Sequence, residues 1–283
     1  MHEETIVSTR MDRELRKRVI QPGDYTIVPY EDSRCKIKLS EVKCTNKGGE
    51  DCEIDPDSVI FSDDFPGILL IGDSDNFIDK DIELILQQMC SGEKSAVSLT
   101  YRDNDENLVK QVSCNIELLE VTEEQVISDW SWQRLHEAAM HHKEQGVLLV
   151  KQKRLPDAFR RFSKALKLVV AVEPATEYKE ITDLRVKLYN NLAHIQLEYN
   201  EYSAAYDLCN RALKYEPDNI KALYRRGLAR VGLHEYEDAW KDINTVLRID
   251  ANNKAAQQKI KELKLILENM NKNYNSVIKK MFR

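Results

Sequence analysis

The chain has 283 residues, a hydrophobic share of 42%, a charged share of 32% and a net charge of −6. That length leaves room for two separately cored domains, and the lack of any run of about 18 apolar residues excludes a membrane-spanning helix. The charge is divided: residues 1–130 carry a net −15 and the remainder +9, so the first part should repel nucleic acid and anionic membranes while the second should accept an acidic ligand. The start, MHEETIVSTRMDRELRKR, lacks the apolar stretch of a secretory signal. The cysteines at 35, 44, 52, 90, 114 and 209 show no paired spacing. Scattered thiols of this kind predict a reducing compartment, the cytosol or the nucleus.

Up to about Glu120 the pattern is one of short β-like runs: CKIKLSEV (35–42), SVIF (58–61), GILLIG (67–72), SAVSLTY (95–101) and VSCNIELLEV (112–121). Gly48-Gly49, Asp55-Pro56 and Pro66-Gly67 punctuate them. One helix is predicted over 80–89, where Ile82, Ile85, Leu86 and Met89 recur at helical spacing. The simplest assembly is a short helix lying on a bent antiparallel sheet.

From about Ser128 the chain reads as helical, and a period of 34 residues appears: Ala205 and Ala239, Ala212 and Val246, Ala193 and Gly227. Gly146, Leu149, Ala158, Phe162 and Ala165 fall at equivalent places in an earlier unit. The step from Ala158 to Ala205 is 47, which puts 13 extra residues around AVEPATEYKEITD. A unit of 34 holds two antiparallel helices, the pattern of a tetratricopeptide (TPR) repeat. Small residues sit where those helices approach, and Leu149, Phe162 and Leu223 fill the space between units. Asn252–Phe282 is predicted to be a further amphipathic helix, with Ile260, Leu263, Leu267 and Met270 along one side and its first turns capping the third repeat. Its basic, apolar end SVIKKMFR would suit a calmodulin-like partner, although a solvated helix end explains it more simply.

The first helix of each unit should line one groove. With position one at 139, 186 and 220, Lys143 takes position five, Asn191 six, Lys221 two and Arg225 six, all on one helical face. Cations and an amide from three helices would satisfy a terminal carboxylate and a nearby acidic side chain. The alternative is a solvated basic face. The runs KEQG, LYNNLA and KALYRRG resemble the carboxylate clamp of TPR co-chaperones that bind the C-terminal EEVD tail of Hsp90 and Hsp70. That resemblance carries the clamp roles to Lys143, Asn191, Lys221 and Arg225. The fifth clamp position, often Asn, is Val147 here, so one donor is lost. Arg226 and Arg230 point elsewhere by periodicity.

VIQPGD, RCKIKL, LLIGDSD, LILQQMCSGEKSAV and CNIELLEV resemble, in order, segments of FK506-binding-protein (FKBP) domains. Joined to three TPR units, the link SDWSW and a terminal KMF tail, the chain looks most like FKBPL-type co-chaperones of the immunophilin family. The resemblance implies a prolyl-isomerase pocket, yet its floor Trp is Ile82 here, its early-strand Tyr is Leu39, its last-strand Phe is Cys114, and its Phe-Asp pair is at best Phe61-Ser62. Only RDNDENLVKQ joins Tyr101 to Val112, so the aromatic loop before the last strand is missing too.

The predicted fold class is therefore α+β: a degenerate FKBP-like antiparallel β-sheet with one short helix, then an all-α TPR array of three repeats plus a C-terminal capping helix. The expected boundaries are a tail over 1–12, the FKBP-like domain over 13–122, a linker over 123–133, repeats over 134–253 and an extended helix over 254–283. Other chemistry finds no motif. No zinc spacing, HExxH, GxGxxG or P-loop occurs, and His141-His142 reads as helix surface. DSDNFIDKD (73–81) lacks the Gly and closing Glu of an EF-hand and reads as a solvated turn. No cofactor or metal is expected. The expected function is that of a cytoplasmic, non-catalytic, monomeric co-chaperone that binds the Hsp90 tail, with the Hsp70 tail as the alternative, and contacts clients through the acidic domain. The competing readings are a weakly active isomerase targeted by its repeats and a TPR scaffold for a non-chaperone partner.

Overall fold

The computed structural model describes residues 4–122, 129–172 and 178–281. It divides into two compact units, Met1–Gln125 and Val126–Arg283.

The first unit is a six-stranded sheet: β1 (Thr5–Thr9), β2 (Arg13–Gln21), β3 (Arg34–Asn46), β4 (Ile68–Leu70), β5 (Lys94–Arg102) and β6 (Leu108–Thr122), with α1 (Phe77–Leu86) between β4 and β5. The spatial order is β1-β2-β5-β6-β3-β4 and every pairing is antiparallel. Alternation sets the face: Leu15 pairs with Leu99, Leu99 with Val112, Val97 with Cys114, and Ile116 with Leu39. The residues so aligned form one apolar layer, against which Ile78, Ile82, Ile85 and Leu86 of α1 pack.

Several expectations change here. Residues 5–9, expected as tail, form an edge strand on β2, because Thr5–Thr9 is an extended, β-branched run beside a strand that still has unpaired backbone groups. Ser58–Phe61, expected as a strand, is a set of turns whose backbone is held by α1: Asp79 accepts from the Ser58 hydroxyl and from Val59 N at 2.8 Å. The acidic run 73–81 is not a solvated turn. Asn76 caps α1 through Ile78 N at 2.8 Å, moving the helix start three residues earlier than predicted, and Asp79 and Asp81 are buried. Asp81 pairs with Arg13 at 2.5 Å and accepts from the Tyr101 hydroxyl at 3.0 Å.

The second unit, among the described residues, consists of α2 (Trp132–Lys151), α3 (Leu155–Val170), α4 (Lys179–Glu198), α5 (Tyr202–Tyr215), α6 (Ile220–Gly232), α7 (Tyr236–Ile249) and α8 (Lys254–Met281). The pairs α2–α3, α4–α5 and α6–α7 are in contact within each repeat. The small positions act as predicted from close approach: a Cβ on Gly146 would lie 2.6 Å from the Phe162 ring, and one on Gly227 would lie 2.7 Å from Ile243 Cδ1. The longer connection after α3 is tied down by Arg185 of α4. This buried guanidinium donates to the carbonyls of Val169 at 2.9 Å, Val170 at 3.3 Å and Val172 at 2.9 Å, so it gathers the carbonyls at the end of α3. Of AVEPATEYKEITD, residues 179–183 begin α4, while residues 173–177 lie outside those described.

The linker expected over 123–133 is shorter at its far end, since Ser131 caps α2 and Trp132 already belongs to it. Trp132 stacks on Tyr178 with ring centroids 4.5 Å apart, and this contact fixes the start of the first repeat. Residues 123–128 lie outside those described. His142, expected on a helix surface, is buried, with Nδ1 2.9 Å from Arg161 Nη1. Helix α8 covers the third repeat with Ala256, Ile260 and Leu263. Met270, further along the same side and beyond the first turns expected to cap the array, is 48% exposed. The reason is length: α7 has 14 residues and α8 has 28, so α8 outruns its support after about four turns. Phe282 and Arg283 of the SVIKKMFR end lie outside the described residues.

Candidate functional site

Lys143 lies on α2, Asn191 on α4, and Lys221 and Arg225 on α6. Helix α4 touches both α2 and α6, so the first helices of the three repeats run side by side. Lys221 and Arg225 are four apart on α6 and share its face; Lys221 is exposed and Arg225 half-buried. Lys221 falls in the first turn of α6, after the N-cap Asn219, whose side chain accepts from Ala222 N at 2.9 Å. Among the described residues the four side chains make no hydrogen bond or ion pair with one another. Lys143 Nζ lies 4.0 Å from Met140 Sδ, and Arg225 Nη1 reaches Asn190 Oδ1 only at 3.5 Å.

Adjacent asparagines on α4 divide the work. Asn190 is buried, donating to the Val186 carbonyl at 3.0 Å and to Asn219 Oδ1 at 3.3 Å, so it locks α4 to the start of α6. Asn191, about a hundred degrees further round the helix, stays half-buried, and its side-chain amide makes no hydrogen bond among the described residues. The arginines divide similarly. Arg226 donates two bonds to Asp242, at 2.9 and 2.6 Å, and one to Asn210 at 2.9 Å; Arg230 adds a third bond to Asp242 at 2.7 Å. Arg225 has no carboxylate partner among the described residues, and burial holds its pKa below the ordinary arginine value. A guanidinium in that position keeps its charge and stands to gain from an anion.

The helix period of Asn191 also points to His194, one turn on, which residue typing passed over. Burial, and then the Arg225 charge, lower its pKa, while Glu198 opposes them with Oε1 3.8 Å from Nδ1. With the folded-state value below the unfolded one, the unfolded chain binds the proton more tightly. The stability His194 contributes is whole above about pH 6.5 and is lost as pH falls below it. The variant His194→Gln should therefore lose less thermal stability than the parent as pH is lowered from 6.5 to 5, measured as a series of unfolding midpoints. Parallel curves would refute this.

In the sheet unit, the positions that resemblance assigns to an isomerase pocket are filled by core. Ile82 and Cys114 are buried, with Leu39 and Phe61 packed against the same cluster. The Ser62 hydroxyl is spent on the Val59 carbonyl at 2.7 Å. Strands β5 and β6 are joined by a five-residue turn in which Asp103 Oδ1 accepts from Asp105 N and Asn107 N, both at 2.9 Å.

Residues 9–123 match the family model described as BDBT FKBP like N-terminal. The human protein named FK506-binding protein-like is 29% identical over 203 residues, covering 71% of this chain and 54% of that one. FK506-binding protein 59 of Drosophila melanogaster is 29% identical over 206 residues, covering 65% of this chain and 45% of its own length. The chain thus spans about half the length of these curated relatives. The crystal structure of residues 1–211 of CG17282 superposes with a TM-score of 0.51 at 24% identity, over 72% of this chain and 97% of that one, a likeness of fold. The sheet unit is thus similar to an FKBP-like N-terminal family and the helical unit is built as TPR repeats, so the chain is similar to FKBP-like proteins that carry TPR repeats.

Proposed function

We propose that this protein is a non-catalytic co-chaperone whose repeats hold the free C-terminal carboxylate and a neighbouring acidic side chain of a chaperone tail ending in EEVD. Arg225 carries the reading: a half-buried guanidinium with no carboxylate partner among the described residues, one turn from Lys221, beside the helix that bears Asn191. Lys143 on α2 supplies the remaining positive charge. The site takes no cofactor or metal. Its localisation in this reading is cytoplasmic, and the acidic sheet unit serves clients rather than catalysis.

Because every contact is a charge-assisted hydrogen bond, binding depends on the terminal carboxylate and weakens with salt. A peptide ending in EEVD should bind, and the same peptide amidated at its C-terminus should bind at least tenfold more weakly in calorimetric titration. Equal affinities would remove the proposal. The Hsp90 and Hsp70 tails share this ending, and titrating both ranks them.

The absence of catalysis rests on the filled pocket. Prolyl rotation has a barrier of about 18–20 kcal/mol, and lowering it needs an apolar recess that grips the twisted amide. Ile82 and Cys114 are in the core and a tight turn stands where the aromatic loop would be, so the positions that would grip the amide are taken up by the fold. A protease-coupled proline assay should show the uncatalysed rate; acceleration matching an active FKBP would favour the competing reading of a repeat-targeted isomerase.

A further inference from the structure

We propose that Cys44 and Cys52 are a modification site at which a reversible intramolecular disulfide forms. Strand β3 does not end at its pairing with β6: beyond Cys44 the chain turns at Gly48-Gly49 and comes back alongside itself. Asn46 N donates to the Glu50 carbonyl at 2.9 Å, Cys52 N to the Cys44 carbonyl at 3.0 Å, and Thr45 bridges Asp51. This register sets Cys44 directly opposite Cys52, with both side chains on one face. Their sulfurs lie 2.8 Å apart. Directly opposed strand residues have Cα separations of about 4.5–5.5 Å, inside the range a disulfide spans, so closing the remaining gap to about 2.05 Å needs side-chain rotation and no refolding of the strand.

The turn is built to keep this register. The Asn46 side chain accepts from Gly48 N at 2.8 Å and Glu50 N at 3.1 Å, and Gly49 takes a left-handed φ of 78°. The two thiols differ in access: Cys52 is half-buried, while Cys44 is buried in the sheet core and its pKa is pushed up to about 12, chiefly by that burial. The order of events follows from this. With oxidised glutathione as the oxidant, the Cys52 thiolate attacks one of its sulfurs, that S–S bond breaks, and one glutathione leaves and takes up a proton. Cys44 then gives up its proton and attacks the Cys52 sulfur of the mixed disulfide, releasing the second glutathione, which takes up that proton. Two protein thiols lose two electrons and oxidised glutathione gains them. High Cys44 pKa makes the second step slow, on the scale of minutes to hours. The bond would staple the hairpin that leads into Ile54, whose carbonyl accepts from Lys110 of β6.

The test uses the full chain, equilibrated in glutathione buffers from fully reducing to fully oxidising, quenched in acid, alkylated and mapped by mass spectrometry. The expected result is a linked Cys44–Cys52 peptide pair, two of the six cysteines lost to alkylation, and the other four retained. The sheet unit of the oxidised form should unfold at a midpoint raised on the order of 5 °C. Cys44→Ser should trap Cys52 as a mixed disulfide with glutathione. Six alkylated cysteines at every poise, a Cys52–glutathione adduct without the link in the parent chain, or a link to any other cysteine would each overturn the proposal.

Discussion

Replacing Arg225 by alanine should weaken binding of a peptide ending in EEVD by about tenfold to a hundredfold while leaving the array folded. The size follows from what is lost. A hydrogen bond to a charged group contributes about 1.5–3 kcal/mol, and every 1.4 kcal/mol is a factor of ten. Stability should barely fall, because Arg225 has no carboxylate partner among the described residues and its burial already works against its own charge. Lys221→Ala should cost less, since Lys221 is exposed and its charge is partly screened. Arg225→Lys separates charge from geometry: a point charge in place of a planar fork should restore only part of the affinity. Titration calorimetry at fixed ionic strength, with circular dichroism to confirm folding, decides the matter. If Arg225→Ala binds within twofold of the parent, Arg225 does not hold the carboxylate.

The residues that the sequence revealed most clearly are those whose spacing repeats. Ala158, Ala205 and Ala239 are all buried where α3, α5 and α7 meet their partners, and the 34-residue step from Ala205 to Ala239 needs no knowledge of tertiary contacts to be read. The sheet unit was harder. Strand β2 reads RELRKRVIQ, and its alternation is hidden because the inward positions are Leu15 and then Lys17. Lys17 is tolerated there by Glu93 at 2.9 Å, from a residue 76 positions away. No local pattern announces such a pair. The same limit explains His142, whose burial depends on Arg161 of the next helix, and Asp79, whose partners belong to turns some twenty residues earlier. Candidate ligand positions could be placed on helices by residue type and period. Which of two neighbouring asparagines is free depended on Asn219, one repeat further on.

That dependence across repeats also explains the second large effect. Asp242 of α7 is buried and receives Arg226 through two bonds and Arg230 through a third. Removing the carboxylate leaves two guanidinium groups with side-chain exposures of only 21% and 15% facing each other. Breaking one partner out of a buried ion cluster costs about 3–5 kcal/mol. Here the lower end applies, because Arg226 keeps Asn210 at 2.9 Å and Arg230 lies over the Tyr206 ring at 5.5 Å. For a helical unit of this size, Asp242→Ala should lower the unfolding midpoint by roughly 6–12 °C, followed by circular dichroism at 222 nm. The penalty comes from the stranded charges and not from a lost attraction, so the double variant Asp242→Leu with Arg226→Met should recover much of it. Equal losses in the single and double variants would mean that the bonds themselves supply the stability. The network also fixes the turn of α6 between α5 and α7: with Arg226 and Arg230 anchored on one side, Lys221 and Arg225 are held on another. The double variant, if it restores stability but not peptide affinity, would show that this anchoring orients the binding face as well as supporting the fold.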